Sequence, residues 1–405
     1  GGAILGTSKV VVRGNQSVAF LENFTSGVKD CGGAILSRDV HLEGNAKLEF
    51  NTNGSSFLGG AVCALSGEVH IQDHLGKVSF VENRTRYGGG AISAAKESVI
   101  ISGNRDSVEF KENVVFGHPA SENPEENLFG RYSGGGAILA KKFVEIKDNA
   151  DTVLFTGNRA GAFGGAILVG SLESSSGGKF GDQVEDEGAV LSITGNSGDV
   201  VFCGNSTSVA VSATEKQFGG GAIHTKELKI SENQGAVSFL SNRSATGAAV
   251  RISDSGSVVL RALGGDITFD GNLTFDGKYE AIYFAGPSSR IQELSASSGK
   301  SIIFRDALTF EDMTLRRASG NNLNSPTLVL NSLEEGKEHT GTILFSRETS
   351  KIPQVAVLQG GTLALTCQAQ LWLGGLKQEP KSDILMEAGT VLRVCEQFLK
   401  NEQKS

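Results

Sequence analysis

The sequence predicts an all-β chain wound as a single-stranded right-handed parallel β-helix, with three short strands per rung. Three observations carry that prediction. A Phe-x-x-Asn unit recurs at near-constant spacing, and a Gly-Gly-Ala-aliphatic unit interleaves with it. Glycine accounts for 54 of 405 residues while proline accounts for only 6. That glycine content is nearly double an ordinary share of roughly 7%. Glycine without proline means tight turns between regular strands, and it excludes a collagen-like or proline-rich linker reading.

The first unit appears eight times, as Phe20/Asn23, Phe50/Asn53, Phe80/Asn83, Phe110/Asn113, Phe155/Asn158, Phe202/Asn205, Phe239/Asn242 and Phe269/Asn272. The spacing is constant from Phe20 to Phe110, and the step from Phe239 to Phe269 has the same length. The glycine unit is Gly32-Gly33, Gly59-Gly60, Gly89-Gly90, Gly135-Gly136, Gly164-Gly165 and Gly220-Gly221, each followed by Ala and then Ile or Val. "TGAAV" at 246–250 is a degenerate last copy. Between the two lies a third β-rich run: "KVVVRGN" (9–15), "DVHLEGN" (39–45), "SVIISGN" (98–104) and "VLSITGN" (190–196).

Each repeat residue has a physical task in such a coil. The pattern apolar-x-Phe, as in Val78/Phe80 or Val108/Phe110, has the period of two that turns both residues inward and the middle one outward. Stacked Phe rings then fill an inner column. Asn tolerates left-handed backbone at the turn, and its amide can bond to the Asn above and below. Gly-Gly permits positive φ at a sharp bend, Ala keeps the corner narrow, and Ile or Val opens the next inward strand. One rung cannot bury its own inner face; stacking does so. Eight rungs at about 4.8 Å would extend roughly 40 Å.

Three insertions break the period: residues 114–134, 170–187 and 206–219. On a solenoid, insertions leave the stack as loops and often form a binding face. After Asn272 the pattern fades into strand runs with Gly-Thr openings, such as "GTILF" (341–345) and "GTLALTC" (361–367). The expected organisation is a repeat region over 1–285, a β-helix extension of different design over 286–396, and a polar linker start over 397–405. No apolar stretch approaches the roughly 18 residues of a membrane-spanning helix. No signal-peptide pattern is present, and the chain opens mid-motif at Gly1-Gly2-Ala3-Ile4, which reads as a piece of something longer.

The interleaved motifs resemble the passenger domains of chlamydial polymorphic membrane proteins. "GKSIIFRDALTF" (299–310), "LQGGTLAL" (358–365), "LWLGGLKQE" (371–379) and "ILMEAGTVLRV" (384–394) look like that family's middle domain, most like its D-type branch. The resemblance covers essentially the whole chain. It implies a type V autotransporter: an exported adhesin passenger at the bacterial cell surface or secreted after cleavage, with the parent anchored in the outer membrane by a barrel that this chain lacks. It also maps the family's adhesion motifs onto the Phe, Asn and Gly residues named above. The periodicity sets a caution beside that mapping, since inward-facing Phe and Asn would act as scaffold rather than as contact residues.

Other chemistry is faint. The net charge is −8 and the basic pairs Lys141-Lys142 and Arg316-Arg317 are isolated, so a nucleic-acid partner has little electrostatic support. "SSGKS" (297–301) has Leu294 where a phosphate loop needs its first Gly, and no G-x-S-x-G elbow occurs. His70 and His74 have helical zinc-site spacing but lie in a strand-turn segment. Asp182 with "VEDE" (184–187) lacks an EF-hand pattern. No catalytic residue, metal or cofactor is expected. Of five cysteines, Cys367 and Cys395 share the offset G-T-x-x-x-x-C. Were the interval between them one rung, the two would stack within reach of a disulfide.

The leading functional reading is an adhesive surface protein whose partners are a host-cell receptor protein or glycan, together with further copies of itself that raise avidity. A polysaccharide-active β-helix enzyme is the rival. Such an enzyme needs clustered carboxylates on one outer face, and the outward positions hold Glu49, Ser79, Glu109 and Ser238. A passive envelope scaffold is the third reading.

Overall fold

The computed structural model describes residues 1–27, 30–116, 133–170, 172, 187–208, 218–311, 327–334 and 337–394. The strands stack rung on rung as a parallel β-helix. Twelve parallel strands, from Val18–Leu21 to Ser382–Met386, form the face that carries the Phe residues. A second, 21-stranded array carries the two strands that precede it in each rung.

A rung holds four segments, one more than expected. The fourth copy shows them as Ile92–Ala94, Val99–Ser102, Val108–Lys111 and Val114–Val115. The additional segment is a two-residue strand just past the Asn, and six of these stack as a sheet of their own. It escapes sequence reading because two residues cannot display a period. Its alignment is firm all the same: Arg84 pairs with Val114 and Thr85 with Val115.

Register explains the repeat. Phe50 pairs with Phe80, and Phe80 with Phe110, at equal steps (80 − 50 = 30 and 110 − 80 = 30). Phe110 still pairs with Phe155, Phe155 with Phe202 and Phe202 with Phe239, although these steps are unequal (155 − 110 = 45, 202 − 155 = 47 and 239 − 202 = 37). The insertions therefore leave the stack undisturbed. Most of their length (117–132, 171 and 173–186, 209–217) lies outside the described residues.

One hydrophobic core runs from Val10 to Leu373. Toward the C-terminal end neighbouring segments merge into longer strands, such as Thr349–Leu358 and Gln370–Gln378, with a register shift between Ile352 and Val355. The rung there is shorter than the interval between the two C-terminal cysteines. Leu365 pairs with Met386 and Gln370 with Val391 (386 − 365 = 21 and 391 − 370 = 21), whereas the cysteines stand further apart (395 − 367 = 28). One rung past Cys367 is thus Ala388. Cys367 is exposed and forms no disulfide among the described residues, and its backbone N–H donates to Glu387 Oε2 at 2.8 Å. Cys395 lies outside the described residues. The expected Cys367–Cys395 pairing rested on an interval of one rung, and the described rungs there are shorter.

Candidate functional site

The Phe residues of the repeat make one inner column. From Phe20 to Phe269, successive ring centroids lie 4.7–5.0 Å apart with planes within 10°. Phe50 through Phe269 are fully buried, while Phe20 in the first rung is half-buried. The column continues through Phe304 and Phe345, at 5.2 Å per step. Sequence reading stops at Phe269 because those two lack an Asn three residues on.

Beside the rings runs an amide ladder. Asn83 Oδ1 accepts from the backbone N–H and the Nδ2 of Asn53, both at 3.0 Å. Its own Nδ2 donates to the Phe50 carbonyl at 2.8 Å and to Asn113 Oδ1 at 3.0 Å. The exchange begins at Asn23 and survives the insertions. Asn113 Nδ2 donates to Asn158 Oδ1 at 3.0 Å, Asn158 to Asn205 at 2.9 Å, Asn205 to Asn242 at 3.0 Å and Asn242 to Asn272 at 2.9 Å. Asp306 then closes the column, accepting from Asn272 N at 3.0 Å and Asn272 Nδ2 at 2.6 Å. Burial raises its pKa while these donors pull it back down.

One sequence expectation for these amides needs correction. The left-handed residue of the turn is not Asn but the residue before it. Glu22, Thr52, Glu82, Glu112 and Ser241 hold φ of 53–56° there, so Ser241 rather than Asn242 makes the turn. Gly157, Gly204 and Gly271 take the same place before Asn158, Asn205 and Asn272. Burial bears on the contact role that the family resemblance assigned to the motif. Asn53, Asn83, Asn113, Asn158, Asn205, Asn242 and Asn272 are all fully buried, their amides spent on the neighbouring rungs. In the folded chain they offer no surface to a receptor.

A second ladder, not recognised in the sequence, ends the preceding strand: Asn15, Asn45, His74, Asn104, Asn149, Asn196 and Asn233. Its signal is the recurrent Gly-Asn at the close of the third run. His74 replaces one amide. Its Nδ1 accepts from Asn45 N at 3.1 Å and its Nε2 donates to the Leu42 carbonyl at 3.0 Å, which fixes the neutral tautomer. Burial holds its pKa below the usual imidazole range. His70 instead points outward, stacks on His41 at 4.1 Å and bonds Glu68 at 2.9 Å. The two histidines face opposite ways, and among the described residues no group of three or more His, Cys, Asp or Glu is placed to hold a metal ion.

The paired glycines act for two distinct reasons. The first of each pair adopts left-handed backbone, as at Gly89 (φ +65°). The second touches the next rung: a Cβ on Gly90 would stand 2.0 Å from the Gly136 carbonyl oxygen. The buried Phe, Asn and Gly residues of the motif thus each have a task in the stack.

The corner created by these glycines has an outer side that the alternation rule misses. The residue after each Ile or Val should face solvent, yet Cys63, Ser93, Leu139, Leu168, His224, Arg251 and Tyr283 are all buried. They stack in register, one per rung. Phe163, Ala162 and Phe218 cover part of the column, packed with Leu139 and Leu168 as a second small core. Its far end is polar. His224 Nε2 lies 3.1 Å from Ser253 Oγ, and Phe163 meets the imidazole edge-on at 5.1 Å. Burial, helped by the neighbouring Arg251 charge, lowers the His224 pKa to about 3. Arg251 lies over the Tyr283 ring at 5.2 Å, and Glu280 accepts from the Gly247 N–H. Burial raises the pKa of Glu280 and of Tyr283.

The comparisons with known proteins decide the family. The model of the Chlamydia polymorphic membrane protein repeat matches residues 152–170, a stretch that runs from the strand of Phe155 through Gly164-Gly165. A probable outer membrane protein of Chlamydia pneumoniae, pmp21, is 49% identical over 401 residues, which is 97% of this chain. This chain belongs to the chlamydial polymorphic membrane protein family. PmpD of Chlamydia trachomatis serovar D is 36% identical over 98% of the chain, and pmp13 of Chlamydia pneumoniae 33% over 43%. The chain spans about a quarter of the length of the first two relatives, 24% and 28%. Polymorphic membrane proteins of this group are named as outer membrane proteins, which locates the family at the bacterial outer membrane and cell surface. No solved structure matches the chain.

Proposed function

We propose that this chain is a stretch of an autotransporter adhesin passenger, a scaffold that presents its outward side chains to host cells. The observation that carries the reading is the burial, inside the stack, of the repeated Phe and Asn residues from Phe50 and Asn53 onward and of the paired glycines. Residues so placed cannot touch a receptor, so adhesion depends on them through the fold. Contact then belongs to the outer faces, where many modest interactions add through avidity. A host-cell receptor protein or glycan and further copies of the chain are the partners proposed.

The enzyme reading gains less support. Glu49 is engaged by Lys47 at 2.9 Å and Glu109 by Lys77 at 2.7 Å, which suits charge balance better than acid-base chemistry. The relatives are named as outer membrane proteins rather than as enzymes.

Beads coated with the folded chain should attach to epithelial cells above albumin-coated beads, and attachment should vanish once the chain is unfolded. A short free Phe-x-x-Asn peptide should not compete. Absence of bead attachment would overturn adhesion; competition by the peptide would overturn the scaffold role of the motif.

A further inference from the structure

The covered corner column holds a second feature that the ladders do not use. Two cysteines meet across it near the N-terminal end. Cys31 stands immediately before Gly32-Gly33, and Cys63 immediately after Val62. The corner brings these two kinds of position together in successive rungs from Gly88 to His224. A Cβ on Gly88 would lie 2.4 Å from Leu139 Cδ2, and one on Gly134 would lie 2.4 Å from Leu168 Cδ2. Phe163 meets His224 in the same way. At the second and third rungs the residues so paired are Cys31 and Cys63, both thiols and both buried.

We propose that Cys31 and Cys63 form a reversible disulfide that staples the second rung to the third across the glycine corner. Three points of chemistry support it. Their side chains are hydrogen-bonded to each other, which places the two sulfurs side by side across the corner. Donors from Cys63 and from the Leu58 backbone fall on the Cys31 sulfur and favour its thiolate. The family resides at the bacterial surface, outside the reducing cytosol.

The oxidant is a low-molecular-weight disulfide. The Cys31 thiolate attacks one of its sulfurs and releases one thiolate, leaving a mixed disulfide on Cys31. Cys63, losing its proton to solvent, then attacks the Cys31 sulfur and expels the second thiolate. Two protein thiols are oxidised, the small disulfide accepts two electrons, and the released thiolates take up two protons.

The test incubates the whole chain with glutathione disulfide, quenches with acid, alkylates, digests and maps the peptides by mass spectrometry. The expected product is a Cys31–Cys63 peptide, formed at a rate independent of protein concentration and reversed by dithiothreitol. In C63S, Cys31 should stop at the glutathione mixed disulfide. Both cysteines remaining alkylatable would overturn the proposal, as would links from either to Cys203, Cys367 or another chain. Should C63S fail to fold by circular dichroism, the peptide map of the unsubstituted chain decides alone.

Discussion

At the scale of single residues, each ladder position carries a definable cost. Removing the Phe110 ring leaves a cavity between two neighbours at 4.8–4.9 Å. Phe110→Ala should lower stability by about 3–5 kcal/mol, read from denaturant melts. Asn83→Ala strips partners from the Asn53 N–H, the Asn53 amide and the Phe50 carbonyl at once. Each orphaned buried group costs about 1–3 kcal/mol, so this change should match or exceed the loss of a ring. Asn158, Asn205 and Asn242 make the same set of bonds and should be equally intolerant of Ala. Gly90→Ala forces a methyl onto the Gly136 carbonyl and should cost about 3 kcal/mol or more, whereas the same change at Gly204, where a Cβ meets nothing within 4 Å, carries only left-handed strain. Legibility in the sequence obeys the same logic. Phe, Asn and Gly-Gly stand out because only those residues meet the demand. The left-handed position before Asn is illegible because Glu, Thr, Ser and Gly all serve when the side chain leaves for solvent.

Among the elements, the strand after each Gly-Gly-Ala is where the alternation rule fails. It is buried on both sides, inside by the core and outside by the corner residues. Leu139 and Leu168 hint at this in the sequence, but Cys63, Ser93, His224, Arg251 and Tyr283 share no residue type that would betray a common burial. Two of the buried histidines, His74 and His224, make stability depend on pH. Both have pKa values below the unfolded value of 6.5, so the unfolded chain binds more protons just below that pH. Their stability is complete above pH 6.5 and falls as the pH drops, down to about 3 for His224. Each contributes a slope of up to about 1.4 kcal/mol per pH unit. His74→Asn, which restores an amide to the second ladder, should flatten part of the slope in melts run from pH 7 to about 4. An unchanged slope would remove His74 from the account.

For the whole molecule, a solenoid built this way is stable through contacts between neighbouring rungs. Its twelve-stranded Phe face keeps register across steps of unequal length, which explains how insertions enter without disturbing the stack. The repeat and the parallel β-helix were legible because a period survives every insertion. The C-terminal rungs were legible as strands but not in register, since their shorter steps carry no marker like Phe-x-x-Asn. Adhesion, where it depends on the motif, should therefore track folding: attachment of coated beads should fall in Phe110→Ala or Asn83→Ala only in proportion to the unfolded fraction.

The most direct test is side-chain accessibility along one strand of the Phe face. Cysteine placed singly at positions 109, 110 and 111 should alkylate quickly in Glu109→Cys and Lys111→Cys. In Phe110→Cys it should react only as the chain unfolds in denaturant. Equal rates at all three positions in the folded protein would contradict the account.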